Sequence, residues 1–128
     1  SAQKKGYWDL SKILDLFPVF KERLNQMSLT LSGGEQQMLS IGRALMTNPS
    51  LLILDEATEG LSPIVSEQVW RVLKSISKEG VSILIVDKLS KSLSDLSNVG
   101  YIIERGKTTW SGNLSTIPNS IVGKFLGI

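Results

Sequence analysis

With 128 residues and 41% apolar content, the chain is long enough to bury a core of its own, roughly two thirds of its unfolded surface. Its 14 Lys and Arg against 12 Asp and Glu give a net charge of +2, too small for the footprint of a nucleic-acid-binding protein. The sequence has neither Cys nor His, which excludes disulfides and the usual zinc ligands. It has no apolar run near the ~20 residues of a membrane span, and because it begins with Ser we interpret it as an excised or processed piece.

The first predicted elements are helices. Apolar residues fall at helical spacing between residues 9 and 26, and Pro18 suits the first turn of a second short helix. Ser32 followed by Glu35 is typical of a capping box, and the helix that it starts is predicted to end at Asn48. The buried face of that helix is predicted to consist of Met38, Ile41, Gly42 and Leu45.

A strand, a helix and a second strand are predicted next. The apolar run Leu51–Leu54 predicts a strand that is buried on both faces and ends at two carboxylates. Ser62 as N-cap, with Pro63 behind it, starts a helix that Gly80 ends. The buried stripe of that helix is predicted to be Val69, Val72, Leu73 and Ile76. The run Val81–Val86 predicts another buried strand, parallel to the first across a right-handed crossover.

The remaining residues predict a short helix, a hairpin and a closing helix. Ser90 can cap a helix over Ser90–Ser97. The runs Tyr101–Glu104 and Lys107–Trp110 flank Arg105–Gly106 as the strands of a hairpin flank its turn. The last helix is predicted over Asn119–Leu126.

Two short stretches carry residues suited to phosphate chemistry. Gly33 and Gly34 follow Ser32 at a helix start, so backbone N–H groups are left uncovered at the positive end of the helix dipole, where a phosphate can bind. Taken alone, the same residues also fit an ordinary capped helix. Asp55 and Glu56 stand where a parallel strand ends. Such a pair can hold Mg²⁺ and orient an attacking water, or it can form a solvated acidic turn.

Together, these stretches resemble the ATP-binding subunits of ABC transporters. The matching segments are LSGGEQQ at 31–37, GRAL at 42–45 and LLILDEAT at 51–58. The segments GEQQMLSIGRALM and EGLSP resemble the branched-chain amino-acid importers, with urea or amide importers as the nearest alternative. The resemblance implies an α/β fold, namely part of a P-loop NTPase domain with a parallel sheet core and flanking helices, without the half that carries the Walker A loop.

The resemblance also implies roles for individual residues. The signature residues, which would close on the γ-phosphate held by a second subunit, are Leu31, Ser32, Gly33, Gly34, Glu35 and Gln36. Asp55 would serve Mg²⁺, usually through water, and Glu56 would serve the attacking water. The D-loop residues are Gly60, Leu61 and Ser62. Ser62 stands where the family usually has Asp, so it cannot make the charge-assisted hydrogen bonds of a carboxylate.

The switch-histidine position of the family is occupied by Lys88, which is either a point charge for the γ-phosphate or a plain exposed lysine. The end of a Walker A loop, G-x-x-x-x-G-K-[S/T], is similar to the run Gly106, Lys107 and Thr108. The first Gly of that motif is replaced by Tyr101, so the run is not a Walker A loop. The chain alone is therefore expected not to hydrolyse ATP. In the family's sheet, the Walker A strand lies between the strands that match Val81–Val86 and Tyr101–Glu104. The empty slot in this chain therefore predicts direct pairing of those two strands, strand exchange between chains, or a loosened C-terminal part.

The implied organisation is one partial domain. Residues 1–30 would end the helical subdomain, 31–48 would form the signature helix, and 51–128 would carry the Walker B strand, D-loop, switch region and C-terminal part. Its cofactors would be ATP and Mg²⁺, and its partners a second ATP-binding subunit, permease subunits and, indirectly, a substrate-binding protein, but no nucleic acid. It would lie in the cytoplasm, on the inner face of a bacterial or archaeal membrane. The alternatives are a soluble ABC ATPase of translation or DNA repair, and a non-catalytic module that docks a nucleotide-loaded partner.

Overall fold

The computed structural model describes residues 6–23 and 31–126, and its elements alternate in the predicted order. In chain order they are α1 (Leu10–Leu16), α2 (Val19–Glu22), α3 (Gly33–Leu45), β1 (Leu51–Asp55), α4 (Pro63–Lys78), β2 (Ser82–Val86), α5 (Lys91–Leu96), β3 (Val99–Glu104), β4 (Lys107–Asn113), a 3-10 turn (Leu114–Thr116) and α6 (Asn119–Leu126). The end of the predicted helical lead-in, residues 24–26, lies outside the described residues. The chain divides into two compact units at the boundary between Val86 and Asp87.

Three helices begin at the serine caps that the sequence predicts. The Ser32 Oγ accepts a hydrogen bond from the Glu35 N–H at 3.2 Å at the start of α3. The corresponding serines of α4 and α5 are Ser62 and Ser90. Each cap satisfies one of the N–H groups that a helix leaves unpaired in its first turn, which is why these starts could be located from local sequence alone.

The core of the first unit lies where α1, α3 and α4 pack together. On α3 the predicted face is buried, with Leu45 completely inaccessible to solvent. On α4, Val69, Leu73 and Ile76 are inaccessible, whereas Val72 is half-buried and not fully buried as predicted, because it lies at the margin of the stripe. The buried side of β1 contributes Leu52 and Leu54 to the same unit.

Asn48 fixes the segment before α1 to the end of α3. Its Oδ1 accepts a hydrogen bond from the Trp8 N–H at 2.7 Å, and its Nδ2 donates one to the Trp8 carbonyl at 3.1 Å. Its backbone has a φ of 51°, in the left-handed region that Asn tolerates better than most residues. The predicted stop signal of α3 therefore also clamps the buried Trp8 in place.

The strands β1 and β2 form a two-stranded parallel sheet, as predicted, with Leu51 opposite Ser82 and Asp55 opposite Val86. The prediction that both strands are buried on both faces is wrong. Alternate side chains on one side of the sheet are exposed, including Ile53 at 63% and Leu84 at 52%. The helices cover one side of the sheet and leave the other in solvent. We call this second side the open face; its residues are Leu51, Ile53, Asp55, Ser82, Leu84 and Val86.

The second unit is built on the predicted hairpin. Strands β3 and β4 pair antiparallel, and Arg105 and Gly106 link them with φ values of 50° and 77°, as a type I′ turn requires. Lys107 and Thr108 belong to β4, so the run that imitates a Walker A loop is strand, as expected. A register shift between Ile102 and Ile103 marks a bulge.

Direct pairing of β2 with the strand at Tyr101–Glu104 was one of three outcomes predicted for the empty slot, and it is wrong. The described strands form two sheets of two strands each, β1 with β2 and β3 with β4. Closing a two-residue turn costs little chain entropy, so β3 pairs with its neighbour in sequence. Within the described part of the chain, none of the helices has the length and apolarity needed to cross a bilayer.

Candidate functional site

The first turn of α3 presents the residues that the sequence predicts for phosphate binding. Ser32 is extended, with φ −64° and ψ 162°, and Gly33 and Gly34 are the first residues of the helix. Behind them, the Gln36 Nε2 donates to the Leu31 carbonyl at 3.3 Å and ties the approach segment to the helix. The arrangement leaves a glycine-lined helix start whose backbone N–H groups lie at the positive end of the helix dipole.

The start of α4 lies directly against the start of α3. A methyl group built on Gly34 would lie 2.1 Å from Val65 Cγ1, closer than two carbon atoms can approach. The same group on Gly33 would meet Leu61 Cδ2 at an ordinary contact distance of 3.8 Å. The structure therefore brings the predicted signature and D-loop residues together within one chain. Val65 was missed by the sequence analysis, because nothing in the spacing of its own helix marks it as the neighbour of a distant glycine.

The predicted D-loop residues, Gly60, Leu61 and Ser62, lead into α4. Gly60 has a φ of 73°, a left-handed conformation that suits glycine. The Ser62 Oγ accepts from the Val65 N–H at 3.4 Å, so the side chain that stands at the usual Asp position acts as a helix cap. This local bond gives a structural reason for a serine here and stabilises the start of α4.

Glu35, the acidic residue of the predicted signature, forms an ion pair with Arg23. The Arg23 Nη1 lies 2.8 Å from Glu35 Oε2, and the Glu35 side chain is 18% exposed. Of the two hydrogen bonds of a capping box, the one from the Glu35 N–H to the Ser32 hydroxyl is formed. The Glu35 carboxylate accepts a hydrogen bond from Arg23. The pair fixes the segment after α2 to the signature helix. Arg23 was missed because it is separated from Glu35 by residues that carry no periodic signal.

The predicted catalytic carboxylates, Asp55 and Glu56, lie at the C-terminal end of β1. Asp55 is the last residue of β1 and is exposed. Glu56 has a φ of 50°, a left-handed conformation that costs a non-glycine residue about 1 kcal/mol. Its N–H donates to the Val86 carbonyl at 2.7 Å, which holds the strained residue at the end of β2. Strained backbone of this kind often accompanies functional positions, so the conformation favours a role for Glu56.

Lys88 lies in the second unit, just after β2. Its N–H donates to the Asp87 Oδ1 at 2.7 Å, and its side chain is exposed. Within the described residues, the other Asp87 oxygen, Oδ2, is buried without a hydrogen-bond partner. Both descriptions of Lys88, a phosphate ligand and an exposed lysine, fit this geometry.

The donor atoms at the end of β1 fit a magnesium ion. Asp55 supplies carboxylate oxygens, which are hard ligands of the kind that Mg²⁺ prefers, and Glu56 follows it directly in the chain. Magnesium sites of this type use one or two carboxylates and complete their coordination with water and phosphate oxygens. The residues present are therefore compatible with a metal shared with a nucleotide.

Three comparisons bear on these residues. The family model described as ABC transporter matches residues 2–59. The chain is 44% identical over 98 residues to the high-affinity branched-chain amino acid transport ATP-binding protein BraG of Pseudomonas aeruginosa, a match that covers 77% of this chain and 42% of that protein. It is 30% identical over 102 residues to the methionine import ATP-binding protein MetN 1 of Staphylococcus aureus, covering 79% of this chain and 30% of that protein.

The solved structures show the fold. An ATP-binding cassette of an ABC transporter in its ADP conformation superposes with a TM-score of 0.76 at 24% identity, covering 91% of this chain and 48% of that one. The likeness confirms the predicted α/β class. The chain spans less than half the length of the curated relatives that it matches.

Proposed function

We propose that this chain, which belongs to the ABC transporter family of ATP-binding proteins, is part of the ATP-hydrolysing motor subunit of an importer. The observation that carries the proposal is that one chain holds both a glycine-lined helix start, at Gly33 and Gly34, and a carboxylate residue with a strained backbone, Glu56, directly after a parallel strand. Phosphoryl transfer needs these two parts, namely donors for the phosphate and a group that orients the attacking water.

The residues would divide the work as follows. Ser32 and the N–H groups of Gly33 and Gly34 would bind the γ-phosphate held by a second subunit. Asp55 would hold Mg²⁺, usually through water, and the metal would neutralise charge on the phosphates. Glu56 would accept a hydrogen bond from the attacking water and orient it toward the phosphorus.

Other residues would support the site. Leu31, Glu35 and Gln36 would shape the signature segment, and the Arg23 ion pair would hold Glu35 in place. Gly60, Leu61 and Ser62 would place the D-loop beside it. Lys88 would offer a point charge to the γ-phosphate from the switch position. Within the domain, residues 1–30 would end the helical subdomain, 31–48 form the signature helix and 51–128 carry the remaining motifs.

The proposed assembly contains a second ATP-binding subunit, permease subunits and, indirectly, a substrate-binding protein, with the motor on the cytoplasmic face of the membrane. Branched-chain amino acids are the proposed cargo, because the match to BraG is stronger than the match to the methionine importer. The chain by itself is expected to be inactive, since its sequence has no G-x-x-x-x-G-K-[S/T] segment to cradle a phosphate.

The test is a chimera in which this chain replaces the matched stretch of the Pseudomonas relative. We expect the chimera to restore leucine uptake to cells that lack that relative, and to hydrolyse ATP when purified. Glu56→Gln should lower the rate of hydrolysis by about 10² to 10⁴-fold, because the amide cannot act as a general base.

Glu59→Gln is the matched control, since Glu59 is an exposed carboxylate three residues away. It should leave uptake and hydrolysis close to those of the unmodified chimera. Full hydrolysis in the Glu56→Gln chimera would contradict the assignment of Glu56, and hydrolysis without leucine uptake would contradict the proposed cargo.

A further inference from the structure

A groove on the first unit opens where the link between α1 and α2 meets α3 and α4. Its volume is about 320 Å³, at the lower end of the range for small-molecule sites, so it has room for a small ligand. Its floor consists of Phe17, from the link, and Met38, from α3, which are 1% and 7% exposed. Its apolar walls are half-buried side chains of Leu16, Val19 and Val72.

Polar side chains reach the groove from α4. Gln68 and Arg71 line it and, three residues apart, lie on the same face of that helix. Arg71 is the charged one among the described residues that line the groove. Its Nη2 lies 3.6 Å from Glu67 Oε1, and the two side chains are 69% and 70% exposed. Such an exposed and distant ion pair contributes little to stability, so the guanidinium N–H groups can bind a second carboxylate.

This division into an apolar floor and a cationic rim defines the chemistry of the ligand. A guanidinium binds a carboxylate through two parallel hydrogen bonds, and the Gln68 amide can donate a further one. The apolar floor and walls favour a short aliphatic chain, which gains free energy by leaving water. A multiply charged anion such as a phosphate ester fits less well, because it would lose its hydration against side chains that cannot hydrogen-bond.

We infer that this groove is a binding site for a small aliphatic monocarboxylate, with its carboxylate on Arg71 and its hydrocarbon chain between Val72 and Met38. Met38 lies one turn beyond Gly34 on α3, so the ligand would contact the helix that carries the candidate phosphate-binding start. Because it binds the folded chain across several elements, the ligand should also raise the midpoint of thermal unfolding. The inference depends on the groove alone and not on the proposed importer function.

The experiment is a titration of the purified chain with isocaproate, followed by NMR of methionine methyl groups labelled with carbon-13. We expect the Met38 methyl signal to shift with a dissociation constant on the order of 1 mM, as is usual for a ligand of this size. Met46 lies after α3, outside the groove, and its signal should stay in place as an internal reference. Leucine is titrated in parallel. Tighter binding of leucine would identify an amino acid as the ligand, and tighter binding of isocaproate a simple organic acid; both support the site.

Arg71→Gln should weaken the binding of isocaproate by about tenfold, because it removes the charge and keeps a polar side chain. Lys74→Gln is the matched control, since Lys74 is an exposed cation three residues further along α4 that does not line the groove. It should leave the dissociation constant unchanged. Isocaproamide has the same shape without the charge, so it should bind about tenfold more weakly than isocaproate and should not respond to Arg71→Gln.

Three results would overturn the inference. The first is a Met38 signal that does not shift at about ten times the expected dissociation constant. The second is equal binding of isocaproate by Arg71→Gln and Lys74→Gln. The third is a Met38 signal that shifts as the concentration of the chain alone rises, which would assign the groove to a second copy. None of these measurements depends on ATP hydrolysis or leucine uptake, so the site and the importer function can fail separately.

Discussion

The helices and the sheet of the first unit differ in how completely their apolar side chains are buried. On α4, Leu73 is inaccessible to solvent, whereas Leu84 on β2 is 52% exposed. Both are leucines in regular elements, so the difference comes from their surroundings and not from their type. A helix of this domain finds its packing partners within the chain, but one side of the sheet does not.

The largest effect is expected from a matched pair of leucine substitutions. Leu73→Ala should lower the free energy of unfolding by about 2–5 kcal/mol, because it leaves a cavity in a closed core. Leu84→Ala should change it by about 0.5 kcal/mol or less, since its side chain is half in solvent. Urea unfolding of the two variants measures the difference. Equal losses would show that the open face is covered in solution.

Gly34→Ala tests the contact between the two helix starts. The new methyl group would overlap Val65 Cγ1, and overpacking of this kind costs about 1–3 kcal/mol, more than the helix propensity that Ala adds. Gly33→Ala is the control, because its methyl group meets Leu61 at an ordinary distance and should be neutral or slightly stabilising.

Thermal or urea unfolding provides the measurement, and Val65→Ala should recover much of the loss in a double variant. If Gly34→Ala were as stable as Gly33→Ala, the two helix starts would not lie in contact. Under the proposed function, this contact would oblige the proposed signature and D-loop segments to move together.

A smaller effect is expected at the clamp between Asn48 and Trp8. Asn48→Ala removes both hydrogen bonds to Trp8 and a longer one, at 3.4 Å, from the Asn48 Nδ2 to the Met46 carbonyl. It also places alanine at a φ of 51°, for a loss of about 1–3 kcal/mol. Asn48→Gly removes the same bonds but tolerates the backbone conformation, so it should be more stable than Asn48→Ala. Circular dichroism during urea unfolding measures the stability of both variants. If the unfolding curves of Asn48→Ala and Asn48→Gly were identical, the whole loss of stability would come from the hydrogen bonds and none from the backbone conformation.

The sequence predicted local features well because local chemistry determines them. The caps at Ser32 and Ser62 and the turn at Arg105–Gly106 each depend on residues within a few positions. The position of Asp55 at a strand end was predicted for the same reason, since an apolar run followed by carboxylates is a local pattern.

What the sequence could not predict depends on distant partners. An apolar run such as Leu51–Leu54 indicates a strand suited to burial on both sides, but not whether this chain supplies both layers. The approach of Val65 to Gly34 and the pairing of Arg23 with Glu35 arise from packing between elements. The left-handed conformation of Glu56 is held by the hydrogen bond from its N–H to the Val86 carbonyl. A bond to such a distant residue cannot be predicted from the residue types around Glu56.

Amide hydrogen exchange of the isolated chain tests the central claim most directly, because it reports the stability of each element in one experiment. We predict that the amides of α4 around Leu73 exchange at least about tenfold more slowly than the amides of β2 that are hydrogen-bonded to β1, since the helix is closed in a core and the sheet lacks one layer. Equal protection of α4 and β2 in the isolated chain would contradict the account.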